Sequence, residues 1–169
     1  TPPAWYLRRP AKLSGLISAG NLFLDNEKAL TISQVTSLNG LENRNGEIIL
    51  STKGDLTVQS PLKNVAGNIL LSTDDSIILN AEVSTKEGNL SILAGNLVVQ
   101  NAGANIAATG KGTIDINGAK GISMAQGVKT SSQNQAIRYL SNGDISLATL
   151  DAGSANIAII TQKSILQAD

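Results

Sequence analysis

A chain of 169 residues with no net formal charge, no cysteine and no histidine excludes several functions at once. Disulfides and thiolate metal sites are gone, as are the usual general base, triad partner and zinc ligand. A nucleic-acid partner is not expected either, because basic residues cluster only at Arg8-Arg9 and phosphate binding needs a concentrated basic face.

The first ten residues, TPPAWYLRRP, fit no repeating pattern. Residues 1–12 read as a lead-in or a cap over the first coil, and 13–169 as one repeat segment. Only four aromatics occur, Trp5, Tyr6, Phe23 and Tyr139, so the core is made of Ile, Leu, Val and Ala and must be thin and regular. No run approaches the roughly 18 apolar residues that a membrane helix needs.

From Gly20 onward the chain repeats itself. Starts of the form Gly-polar-aliphatic-x-aliphatic fall at Gly20 (GNLFL), Gly46 (GEIIL), Gly67 (GNILL), Gly88 (GNLSI), Gly112 (GTIDI) and Gly143 (GDISL). A second short run follows each start: ALTIS, DLTVQ, SIILN, NLVVQ, GISMA and NIAII. A weaker third run follows in several units. Every run alternates with period two, the signature of a strand. Three short strands per unit of about 21 residues predict an all-β chain, a right-handed parallel β-helix. Sandwiches also use short alternating strands, but nothing in a sandwich keeps glycine, amide and aliphatic columns in one register.

The pattern assigns inward positions to Ile48, Leu50, Leu56 and Val58, then Ile69, Leu71, Ile77 and Leu79, then Leu90, Ile92, Leu97 and Val99. Gln59, Asn80 and Gln100 are expected to stack as an amide ladder. Ser51-Thr52 and Ser72-Thr73 form a second column, and Gly46, Gly67 and Gly88 mark a corner that needs a positive φ or close packing. Ile49 and Leu70 form an outward apolar pair. Two units carry extra length, one around SLNGLENRN and one at QGVKTSSQNQAIRYLSN, and both are expected to be turn insertions. The last residues, KSILQAD, still read as a strand. They predict a chain that continues beyond Asp169 and an open coil prone to end-to-end self-association.

No motif activates a catalytic group. Asp25 with Glu27, Asp74-Asp75, Asp115, and Asp144 with Asp151 are the acidic candidates for a calcium or glycosidic site, since carboxylates need only converge in space. Asp74-Asp75 has Lys53-Gly54 one coil earlier, so no acidic column forms there, and the turn preference of Asp explains it. The calcium-roll nonapeptide and a regular Thr-x-Thr ice-binding array are both missing. The expectation is therefore no catalytic, cofactor or metal residue and no cofactor. One surface candidate remains: Arg138 and Tyr139, in the second long unit, as a contact for a glycan or protein partner.

The starts GNILL, GNLSI and GDISL, with the turns VQNAGAN and LDAGSAN, resemble the repeats of filamentous-haemagglutinin-like adhesins and related β-strand-repeat surface proteins of bacteria. The resemblance covers Leu13 to Asp169. It is to the shaft, since the Asn-Pro-Asn-Gly/Leu motifs usual in the family's secretion domain are missing. It implies a secreted, cell-surface location and an adhesive or structural role, with a surface glycan or protein on a host or neighbouring cell as partner. The alternative is a carbohydrate-binding or carbohydrate-cleaving β-helix module.

Overall fold

The computed structural model describes residues 11–169, and every regular element in that span is a strand. Each coil contributes one strand to each of three parallel sheets. The first sheet has seven strands, each five residues long, among them Ile48–Thr52, Ile69–Thr73 and Leu90–Ala94. The second has eight, including Leu56–Val58 and Ile77–Leu79, and the third has seven, including Leu62–Asn64 and Val83–Thr85. Partners across coils keep the repeat: Leu71 pairs with Leu50 below and Ile92 above, 21 residues away in each direction. The chain is a β-solenoid.

Burial follows the period-two alternation. Ile48, Leu50, Leu56, Val58, Ile69, Leu71, Ile77, Leu79, Leu90 and Ile92 are all buried, as expected. Equivalent aliphatics stack directly, and each fully buried one contributes about 1.5–3 kcal/mol relative to exposure. Ile49 and Leu70 do face outward, and Phe23 extends their column by one coil.

The corners are held by polar ladders. Gly46 and Gly67 have φ of 136° and 126°, and a Cβ on Gly67 would run into the Gly46 carbonyl. Inward-facing Asn64 donates to Gly46 O at 3.0 Å and to Asn68 O at 3.1 Å, spanning that corner. Asn43 does the same one coil earlier, and Thr85 donates to Gly67 O at 3.1 Å one coil later. The Gly20, Gly46 and Gly67 carbonyls, which take no backbone N–H from a neighbouring coil, thus find side-chain donors, as buried backbone groups must.

Several expectations are corrected. Leu97 is exposed and Val99 faces outward, while Val98 and Gln100 stand inside on Ile77 and Leu79. The run LVV is apolar on both faces, so alternation alone does not choose; pairing to the coil below does. Gln100 therefore leaves the amide ladder, and Asn101 takes its place. Asn80 donates to Gln59 Oε1 at 2.9 Å and Asn101 to Asn80 Oδ1 at 2.7 Å.

The stretch from Gln126 to Asn142 is not an insertion. It holds two regular strands, Lys129–Ser132 in the third sheet and Ile137–Ser141 in the first. The coil was hidden because Gln135 stands where other coils have glycine. In consequence GDISL belongs to the second sheet (Ile145–Leu147), and NIAII to the first (Ile157–Thr161). The other long unit does contain an insertion, a hairpin of Gln34–Val35 and Leu38–Asn39 turning on Thr36 at φ 55°. The solenoid also begins earlier than Leu13: Ala11–Leu13 already pairs with Leu30–Ile32. The rest of the expected lead-in lies outside the described residues.

Candidate functional site

The surface pair offered by the sequence divides in two. Tyr139 occupies an inward position of the first sheet, in register with Ile116, and is fully buried. This corrects its assignment as a partner contact: in a strand, neighbours Arg138 and Tyr139 must point to opposite faces. The Tyr139 hydroxyl lies 2.7 Å from Thr130 Oγ1, which is 3.4 Å from the Gln100 amide, and Gln100 Nε2 donates to Ala104 O at 2.7 Å. These three side chains make a hydrogen-bonded polar cluster inside the solenoid. Burial raises the tyrosine pKa well above its ordinary value, with the Thr130 hydrogen bond opposing in part. Arg138 points out and is exposed. Its guanidinium donates to both Asp115 oxygens, at 2.9 and 2.5 Å, across one coil step.

Several of the acidic candidates are likewise occupied, while Asp25 and Asp74 make no side-chain hydrogen bond or ion pair among the described residues. Asp144 Oδ1 accepts from Ser164 N–H at 3.0 Å, and Asp75 Oδ1 accepts from Asn96 at 3.2 Å. Asp151 accepts from Lys129 at 2.8 Å and from Gly153 N–H at 3.0 Å; the Lys129 hydrogen bond, then the Gly153 one, hold its carboxyl below the usual value. Glu27 pairs with Lys53 at 2.5 Å. Among the described residues no three acidic side chains converge into a metal-holding group.

A concavity lies elsewhere, on the outer face of the third sheet. It is a trough of about 460 Å³ that spans four coils. Register builds its floor: Lys63, Ser84, Ala107 and Ser131 stand in one outward column. Three of these four side chains are small, so the floor is low between its rims. One rim carries Glu82, Asn105 and Lys129, the residues at or just before the strands; the other carries Val65, Lys86 and Thr109, just after them. Lys63, Lys86 and Lys129 are all exposed. Against three lysines the lining has one carboxylate, Glu82, which accepts from Ser84 Oγ at 2.8 Å and sits 3.9 Å from Lys63. Lys129 is shared with Asp151. Lys86 has no ion-pair partner among the described residues.

At Lys63 the trough meets a second hollow of about 310 Å³, walled by the inserted hairpin and carrying Leu16 and Leu38. Both leucines are exposed, at 48% and 45%. The inserted hairpin thus borders one end of the trough.

Sequence reading missed these lysines because they are 23 and 43 residues apart. They form no run, and only stacking brings them to one face. The usable signal was the third, weakest run of each unit, whose outward positions align once the repeat is in register. Comparison with protein-family models, curated proteins and solved structures finds no match.

Proposed function

We propose that the chain is a structural and adhesive shaft segment of a large secreted bacterial surface protein, of the kind its repeats resemble. The observation that carries this reading is the unbroken stack: seven first-sheet strands lie in order, each paired to the one before. Such a rod holds whatever it bears at a distance, and its rigidity comes from contacts between neighbouring coils. The role asks for no catalytic group, and Glu27, Asp75, Asp115, Asp144 and Asp151 are engaged in joining coils.

The same reading gives the last coil a partner. Ile157 and Ile165 occupy inward columns, over Ile137 and Ile145, yet are 41% and 53% exposed. A further coil stacked on this end would cover them. A carbohydrate-binding module is the second reading, and the trough on the third sheet favours it.

The test is location and inertness together. Antibodies raised against residues 11–169 are expected to label intact cells of the source organism, and the purified segment to leave pectins and alginates uncut with or without calcium. Labelling only after the cells are permeabilised would overturn the surface reading. Depolymerisation abolished by replacing Asp115, Asp144 or Asp151 would replace the shaft with an enzyme.

A further inference from the structure

We propose that the third-sheet trough is a binding site for an extended, uronate-bearing polysaccharide lying along the solenoid axis. The inference rests on the extracellular reading above, since such polymers are met outside the cell.

Three observations select this occupant. The first is charge. A chain that is neutral overall places three lysines and one carboxylate, Glu82, around one trough; at its two ends Asp151 pairs with Lys129 and Glu42 lies beside Lys63. That local excess is modest, and it suits a polymer with one negative charge per unit. A densely sulfated chain would bring several charges per unit, more than three lysines, two of them already beside carboxylates, could neutralise.

The second is spacing. Lys63 and Lys86 are on successive coils, and Lys129 is two coils further. Coils stack at about 4.8 Å, close to the length of one hexose unit in an extended polysaccharide. Lys63 stands in the floor, Lys86 on one rim and Lys129 on the other, so a chain along the axis is flanked by cations on both sides, at the first, second and fourth coil.

The third is the nature of the lining. Ser131, Asn105 and Thr109 present hydroxyl and amide groups suited to sugar hydroxyls. The backbone of this sheet is already paired coil to coil. An extended acidic peptide would find no strand edge to join, and its own N–H and C=O groups would go unmatched. No aromatic side chain lines the trough, so recognition falls to charge and hydrogen bonds. Neutral glucans lack the first of these.

The probes are oligogalacturonate, a neutral gluco-oligosaccharide of equal length, and poly-L-glutamate, titrated calorimetrically against the segment at low salt. Oligogalacturonate is expected to bind and to weaken as salt screens the lysines. The double variant Lys63→Glu/Lys86→Glu is expected to weaken it by at least about tenfold. Lys120→Glu, outside this trough, should leave it unchanged. All three lysines are exposed, and far-UV circular dichroism checks that each variant keeps the fold. The proposal is overturned if oligogalacturonate fails to bind, if the double variant binds it as well as the parent, or if either control polymer binds equally. Those outcomes leave the surface-labelling result untouched, so the failure of the site and the failure of the shaft reading are separable.

Discussion

Leu71→Asp is expected to abolish the cooperative thermal transition of the segment. Leu71 is fully buried at the middle of the stack, with Leu50 beneath it and Ile92 above. The substitution loses about 2–3 kcal/mol of apolar burial and leaves a carboxylate in an aliphatic column, which costs several kcal/mol more. A domain of ordinary stability has about 5–15 kcal/mol in all. Coils are stabilised by their neighbours, so a failure here also uncouples those on either side. Asp74→Ala is the matched control. Asp74 follows the same strand in an exposed turn, and its backbone N–H keeps its bond to Thr52 O whatever the side chain. It should be close to neutral. Equal losses from the two variants would mean that the inward and outward faces are misassigned.

Gly67→Ala should cost about 2–4 kcal/mol, from two sources that can be separated. One is backbone strain: φ is 126°, where a residue with a Cβ is strained by about 1–3 kcal/mol. The other is collision of the new methyl with the Gly46 carbonyl one coil below, which forces neighbouring coils apart. Gly103 has a φ of 83° and open space around it. Gly103→Ala therefore carries the strain without the collision and should cost less. If chemical denaturation gives the two variants the same loss, corner glycines serve φ alone and close stacking does not require them.

The contrast between these glycines also explains how much could be read from the sequence. The repeat was legible because one physical constraint, a backbone passing within contact of its neighbour, recurs at Gly46, Gly67 and Gly88 and leaves the same letter each time. The aliphatic columns were legible for the same reason. Where the letter changed, the reading slipped. Gln135 hides a coil start, and GDISL imitates one although it opens a second-sheet strand. Val98 and Val99 are equally apolar, so only pairing to Ile77 and Ile78 tells inside from outside. Tyr139 was misjudged because composition promised an aliphatic core, whereas Thr130 and Gln100 make one polar pocket within it. The candidate site was the least legible part. Its lysines gain meaning only when coils are stacked, and the third run, which carries them, has the weakest alternation of the three.

The claim beneath all of this is that equivalent residues of successive coils stand in one straight column. Asp25, Ser51, Ser72, Leu93, Asn117, Leu140 and Ile160 form such a column on the outer face of the first sheet. The chain has no cysteine of its own, so paired nitroxide labels can be placed there without background. Pulsed electron spin resonance from a label at position 25 to labels at 117, 140 and 160 should give distances rising by one coil spacing each time, about 19, 24 and 29 Å. Distances that fail to rise in equal steps, or that fall between any two of these positions, would contradict the stacked solenoid.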